Sequence, residues 1–451
     1  MSTPTASRLA NVLARQHRID LRALDKGVYV VSTQDVLAYL DSQAPTRSVA
    51  QRRAPLFVPH TAKIRAYQWE CVRQMCDRSG FVIAPCGCGK TLIGLLVAVL
   101  NGGRFMVLTT RYAEQWKKTL DDFFTPIDGE VNIVVDNHLR PGVVPDVLIS
   151  TYSAFCPNSE RLRLAKHLVY DTVVLDEAHC AASSANLAAL DRLHAMRWCA
   201  LTATLVREDS ELSKLEARVG PVIAEVGRIR LIRERFIPDV EIVNVVVPYD
   251  DVHSLEAHIG RHKALALHPN KIQALVHTLR VLSSERHKTI VFCDDLFCLA
   301  WTSAIVKATG LPCIGSISMN TPIDVRGAII EQFERNANAT IVFISRTGDE
   351  ALDVPSASAG VVFWNHWASR RQIVQRVGRI SRMRGDKAPV FITLLADHIR
   401  EHAASKHREA YMQEHGFVVR TELLANSPYA TPLHSAVPYI AKLKTRYTQC
   451  K

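Results

Sequence analysis

One stretch constrains this chain more than any other: Val82-Ile83-Ala84-Pro85-Cys86-Gly87-Cys88-Gly89-Lys90-Thr91. The apolar run Phe81 to Ala84 reads as a short buried strand, and the apolar stretch Leu92 to Leu100 reads as a helix. Strand, Gly-rich turn, Lys-Thr and helix make up the P-loop layout. Backbone N–H groups from Ala84, Pro85, Cys86, Gly87, Cys88 and Gly89 onward would surround a phosphate, less Pro85, which has none. The helix N-terminus adds partial positive charge there. Lys90 would reach the β- and γ-phosphates, and the Thr91 hydroxyl would hold Mg²⁺. The strict pattern has Gly where this chain has Ala84. The structural alternative is a bare Gly turn between a core strand and a core helix.

From Lys63 onward, apolar strand candidates alternate with helical segments. They fall at Phe81–Ala84, Phe105–Thr109, Asn132–Val135, Val147–Ser150, Thr172–Leu175 and Trp198–Leu201. A second series follows at Val240–Val247, Thr289–Cys293, Thr340–Ser345, Gly360–Trp364 and Val390–Leu395. This alternation predicts two α/β lobes, each a parallel sheet covered by helices. The expected division is a short N-terminal extension and linker over 1–60, a first lobe over 61–232, a second lobe over 233–425 and a basic tail over 426–451. Within the extension, Val28-Tyr29-Val30-Val31 suggests a strand, with a helix after it capped by Ser32 or Thr33. Gln43 to Pro59 reads as a linker.

The chain has a net charge of +11, which favours an anionic partner, nucleic acid being the commonest. No apolar run reaches the roughly 18–20 residues of a membrane span. Met1 to Arg15 lacks a continuous apolar core, which argues against a secretory signal, although its Arg and Ser without acidic residues also fit a transit peptide. Eleven cysteines without such a signal point to free thiols in a reducing compartment. Cys71/Cys76 and Cys293/Cys298 lack the spacing of a zinc site, so no structural zinc is expected. Cys86 and Cys88 would make the phosphate loop sensitive to oxidation.

Two further segments bear chemistry. Val173-Val174-Leu175 delivers Asp176-Glu177 at a strand's C-terminal end, where ligands bind in open α/β sheets. Asp176 can hold Mg²⁺ directly or through water, and Glu177, also a metal candidate, can take a proton from the attacking water. In Arg370 to Arg382, Gln375, Arg379 and Arg382 recur at roughly helical spacing and would present guanidiniums on one face. An arginine finger is one reading and a solvated or nucleic-acid-binding basic helix the other. Thr202 and Thr204 end a strand, where they would either contact His179 or cap the next turn. Trp364 and Trp367 suit base stacking or core packing.

The order of these segments resembles a superfamily 2 helicase. Arg65-Ala66-Tyr67-Gln68 is similar to the adenine-reading Q motif, which implies that Gln68 binds ATP. Pro85 to Thr91 resembles motif I, for which Ala84 is usual. Arg111 to Trp116 resembles motif Ia and Ser150-Thr151-Tyr152 motif Ib. Asp176 to His179 matches motif II of the DEAH type, Thr202-Ala203-Thr204 motif III, and Ile290 to Asp294 motif IV. Gly348-Asp349 with Asp353 resembles motif V, and Gln375 to Arg382 motif VI. Arg207-Glu208-Asp209, His268 to Lys271 and Ser345 to Asp349 look like segments of the XPB group, translocases of the transcription and repair factor TFIIH.

The resemblance implies two tandem RecA-like lobes and a nucleic-acid-stimulated ATPase, a 3′–5′ DNA helicase or duplex translocase using ATP and Mg²⁺. It implies nucleic-acid contacts at Arg111, Ser150, Thr151, Arg207, Glu208, Asp209 and Arg346. His179, Thr202, Thr204, Gly348, Asp349 and Asp353 would couple nucleotide state to nucleic acid. The implied setting is a nuclear or other DNA-containing compartment, with transcription or repair machinery as partner. Tyr249 to Leu267 is short for an XPB thumb. An ATP-gated subunit with little unwinding therefore remains an alternative, as does a DEAH-type RNA helicase.

Overall fold

A computed structural model of the chain describes residues 28–30, 55–59 and 63–424, except 111–112, 128, 136–138, 204–209, 250–260, 337, 339, 347–353, 355, 366–369 and 382–387. It divides into two units, Met1–Glu234 and Arg235–Lys451. The expected helix after Val31, the basic tail and most of the shortened thumb segment lie outside the described residues.

The first unit is built on seven parallel strands: β1 (Gly80–Ile83), β2 (Phe105–Thr109), β3 (Ile133–Val135), β4 (Val147–Thr151), β5 (Thr172–Leu175), β6 (Trp198–Thr202) and β7 (Val222–Glu225). Their order across the sheet is β7-β1-β6-β5-β2-β4-β3. Helices α1 (Ala66–Met75), α2 (Lys90–Asn101) and α3 (Ala113–Phe123) precede the site or lead away from it. The central strands are covered on both faces, so they read as continuous apolar runs rather than alternating ones. Helix α2 is apolar on every side, and every residue from Leu92 to Asn101 is buried.

The N-terminal residues are tied to this unit by antiparallel pairs. Val28–Val30 pairs with Lys63–Arg65, and Phe57–Pro59 with Phe124–Pro126. The linker reading of Gln43 to Pro59 therefore fails at its end. Phe57 is buried and its ring meets that of Phe105 edge-on at 6.2 Å, so one aromatic anchor overrides the surrounding loop-forming composition.

The second unit repeats the architecture with β8 (Glu241–Val247), β9 (Thr289–Cys293), β10 (Cys313–Ile317), β11 (Ile341–Ile344), β12 (Ala359–Trp364), β13 (Val390–Ala396) and β14 (Val419–Leu423). All pairs are parallel, in the order β10-β11-β9-β12-β13-β8-β14. Helices α4 (Pro269–Ser284), α5 (Leu296–Ala308), α6 (Arg370–Ile380) and α7 (Ile399–Glu414) accompany it. Trp364 belongs to this core at 5 % exposure, which favours packing over base stacking; Trp367 lies outside the described residues.

Beneath the C-terminal ends of these strands lie two buried ion pairs. Lys271 Nζ donates to both Glu401 carboxylate oxygens at 2.9 and 3.0 Å, and Glu401 also accepts the Ala396 N–H at 2.7 Å. Arg376 pairs with Asp294, and both side chains are fully buried. The XPB-like stretch from His268 to Lys271 thus acts as scaffold here, with His268 capping α4 by accepting the Asn270 N–H.

Candidate active site

The C-terminal ends of β1, β6, β5, β2 and β4 carry the sequence-predicted residues of the first unit side by side. Ligand sites of open parallel sheets form at this edge. After β1 the chain turns through Gly87 (φ 80°) and Gly89 (φ 84°) into α2, with Gly89 as N-cap. A Cβ on Gly89 would lie 2.4 Å from Gln68 Nε2, so glycine is required there by conformation and by space. The first backbone N–H groups of α2 have no partner within the helix and face the loop that a phosphate would occupy. Lys90 Nζ folds back to donate to the Ala84 carbonyl at 3.3 Å. Burial opposes the Lys90 charge, yet the nearby cysteines and the carboxylates of Glu177 and Asp176 hold its pKa above the ordinary lysine value.

Two side chains of α1 grip the loop from outside. Tyr67 Oη and Gln68 Nε2 both donate to the Cys88 carbonyl, at 2.7 and 2.8 Å, and Gln68 Oε1 accepts the Arg65 N–H at 3.0 Å. Burial pushes the Cys88 thiol up to about 11, so it stays protonated and inert at neutral pH. Oxidation sensitivity would fall on Cys86, which is half-exposed.

Asp176 sits where β5 ends. Its Oδ2 accepts from Thr109 Oγ1 at 3.0 Å and Trp116 Nε1 at 3.1 Å, and its Oδ1 from the Glu177 N–H at 3.0 Å. Tyr152 Oη donates to the Asp176 carbonyl at 2.9 Å. Burial first, then the neighbouring Glu177, raises the Asp176 pKa above the ordinary aspartate value. Glu177 adopts a left-handed backbone (φ 46°, ψ 55°), a strained state for a residue with a side chain. His179 Nδ1 lies 3.5 Å from Glu177 Oε2 and 3.4 Å from Thr202 Oγ1, so the expected contact between motifs II and III is present.

The donor set is oxygen only: the Thr91 hydroxyl and the carboxylates of Asp176 and Glu177. Hard oxygen ligands of this kind suit Mg²⁺. Among the described residues no group of three or more His, Cys, Asp or Glu is placed to hold a metal alone.

Other expected site residues divide by position. Ser150 is fully buried in β4, because strand alternation turns its side chain into the core, so its hydroxyl is not offered to a nucleic acid. Thr151 is half-buried and Arg346 exposed. On α6, Gln375 and Arg379 are half-buried and four residues apart, while Arg376 points inward to Asp294 with its guanidinium 4.8 Å above the Phe292 ring. Arg111, Thr204, Arg207, Glu208, Asp209, Gly348, Asp349, Asp353 and Arg382 lie outside the described residues. Sequence reasoning assigned no role to Thr109, Trp116 or Tyr152. The one available signal was the position of Trp116 inside motif Ia and of Tyr152 inside motif Ib.

Comparison with known proteins now adds to this geometry. Residues 65–212 match the DEAD/DEAH box helicase family, and residues 234–430 match the ERCC3/RAD25/XPB C-terminal helicase family. The chain is 28 % identical over 381 residues to the general transcription and DNA repair factor IIH helicase/translocase subunit XPB of Danio rerio, covering 79 % of this chain and 48 % of that protein. It is 26 % identical over 401 residues to subunit XPB/SSL2 of Saccharomyces cerevisiae, covering 82 % and 47 %. The chain thus spans about half the length of these relatives. Among solved structures, S. cerevisiae Dbp5 bound to RNA and ADP BeF3 aligns with a TM-score of 0.58 at 12 % identity, covering 93 % of this chain and 97 % of that one. The Pyrococcus furiosus Hef helicase domain aligns with a TM-score of 0.53 at 14 % identity, covering 76 % and 98 %. At such identities these two structures bear on the fold alone, and they fit RecA-like helicase lobes.

Proposed function

We propose, for a chain that belongs to the XPB-like superfamily 2 helicases, an ATP-dependent motor on DNA: a helicase or duplex translocase serving transcription or repair, with 3′–5′ polarity. One observation carries this most directly. The phosphate loop, the Asp176-Glu177 pair and the His179–Thr202 contact stand on adjacent strand ends of one sheet. ATP phosphates lie in the loop against Lys90 and the N–H groups of α2. Thr91 and Asp176 would hold Mg²⁺, whose charge would offset that of the phosphate oxygens. Glu177 accepts the proton of the attacking water. Arg379 and Arg382 are the arginine-finger candidates, whose guanidiniums would offset the negative charge that develops in phosphoryl transfer. Gln68 has spent one N–H and one lone pair on the protein, which leaves one of each for a bidentate contact with adenine. Nucleic acid is held through phosphates by Thr151, Arg346 and the flanking loops, in a salt-sensitive and largely sequence-independent way. The DNA-containing compartment and the transcription or repair assembly belong to this same proposal, on the printed roles of the relatives.

The test is ATPase activity of the chain against duplex DNA, single-stranded DNA and RNA, beside Lys90→Ala. We expect strongest stimulation by DNA and its loss in the variant. Normal hydrolysis by Lys90→Ala would sink the site assignment, and stimulation by RNA alone would replace DNA with RNA as substrate.

A further inference from the structure

Asp176 is held by the two segments expected to touch nucleic acid. Thr109, at the end of β2, stands next to the half-buried Thr110, and Trp116 follows on α3. Both donate to Asp176 Oδ2. Tyr152 follows Thr151 directly and donates to the Asp176 carbonyl. All three donors are buried, at 0 %, 1 % and 6 % exposure, so none has water as an alternative partner. Oδ2 is thus occupied twice and Oδ1 once, by the Glu177 N–H, which orients the Asp176 carboxylate.

A glycine makes this arrangement possible. Gly94 interrupts the otherwise apolar α2, at a cost of about 1 kcal/mol relative to Ala in a helix interior. A Cβ there would lie 2.8 Å from Leu201 Cδ1, 3.0 Å from Trp116 Cη2 and 3.0 Å from Val174 Cγ1. The missing side chain is the space in which the indole reaches Asp176.

From this wiring we infer that Trp116 and Tyr152 are positioning residues that carry nucleic-acid contact at the Thr110 and Thr151 segments to the Mg²⁺ carboxylate Asp176. The inference rests on the motor reading given above. A phosphate bound at either segment immobilises the donor that the segment carries and so strengthens the outer shell of Asp176. Nucleic acid therefore changes cation affinity at Asp176 without passing through motif III.

The experiment measures Mg²⁺ affinity from the Mg²⁺-dependent increase in mant-ADP binding, with and without a blunt DNA duplex, in the full chain. Trp116→Phe keeps an aromatic ring and removes the donor. Loss of an outer-shell partner typically lowers metal affinity about 10–100-fold, and that is the expected shift for Trp116→Phe without DNA. Gly94→Ala, which keeps the N–H and displaces the ring, should shift it in the same direction. In the wild type, duplex DNA should raise Mg²⁺ affinity, and the rise should vanish in Trp116→Phe/Tyr152→Phe. Affinity within about twofold of wild type in Trp116→Phe, a twofold margin being about 0.4 kcal/mol, overturns the positioning role. No DNA effect in the wild type, or an intact one in the double variant, overturns the link. Wild-type ATPase that no nucleic acid stimulates would overturn the motor reading instead, and the DNA-free measurement would still decide Trp116.

Discussion

Gly89→Ala tests whether the phosphate loop is shaped as described. Two costs add. A side chain at φ 84°, ψ 40° is in the left-handed region, which costs roughly 1–2 kcal/mol. The new Cβ would also stand 2.4 Å from Gln68 Nε2. The Gln68 carboxamide must retreat and give up its 2.8 Å bond to the Cys88 carbonyl, worth about 1 kcal/mol, and strain its 3.0 Å link to the Arg65 N–H. The sum is about 2–4 kcal/mol. For a domain of the first unit's size this lowers the melting temperature by about 5–15 °C, read as the first unit's transition in calorimetry of the full chain. The decisive comparison is a double-mutant cycle. Gln68→Ala alone loses its bonds but removes the obstacle to Cβ. The pair should then be less destabilised than the sum of the singles by about 1–2 kcal/mol. Additivity within about 0.5 kcal/mol would refute the claim that Gln68 and Gly89 share one space.

Two further tests separate scaffold from chemistry. Arg376→Gln leaves Asp294 charged in a fully buried site, so the second unit should lose about 3–5 kcal/mol in calorimetry. Arg379→Gln, three residues on and only half-buried, should cost less, about 1 kcal/mol. It should nonetheless lower ATP turnover by a factor of order 10³ or more; the opposite pattern would exchange the two roles. The second test is pH. Because the folded pKa of Asp176 is raised, its contribution to stability is complete below the unfolded value of about 3.9 and is lost as pH rises through the folded value. Asp176→Asn, neutral throughout, should gain in stability over wild type as pH rises above the unfolded value of about 3.9, in melts free of metal and nucleotide. A gap that shrinks with rising pH would show that burial and Glu177 do not penalise this carboxylate.

The interior of both sheets was legible from sequence because central parallel strands are buried on both faces and must be continuously apolar. Val173-Val174-Leu175 and Val390 to Leu395 leave little alternative. The strands that sequence reasoning passed over are all edge strands. Cys313–Ile317 has a half-buried middle containing Gly315, Val222–Glu225 is buried only at Ala224, and Val419–Leu423 alternates Val-Arg-Thr-Glu-Leu with mostly exposed side chains. An edge strand covers only one neighbour, so its composition is barely constrained. The candidate reactive groups stood out for a different reason: the phosphate and Mg²⁺ chemistry proposed for them admits few residue types. What holds those groups was not. Trp116 lies 60 residues from Asp176 in the chain and Tyr152 lies 24 residues away, and no local pattern announces either contact.

That wiring follows from the order of strands in the sheet. Along the chain the segments run phosphate loop, motif Ia, motif Ib, Asp176-Glu177 and motif III. Across the sheet the strands that end in them stand β1, β6, β5, β2, β4. The permutation puts Thr202, from the last segment, between the phosphate loop and Asp176. This explains why its backbone carbonyl accepts the Ala84 N–H at 2.9 Å while its hydroxyl meets His179. It also puts β2, the strand of motif Ia, directly beside β5, so that Thr109 and Trp116 reach Asp176 from the side opposite Thr202. Asp176 therefore stands between a neighbour that touches the nucleotide loop and a neighbour that leads to nucleic acid. A chain with the same motifs on strands in sequential order would have neither contact. On the proposed motor reading, this strand order would make the carboxylate beside the phosphate loop answerable to both sides.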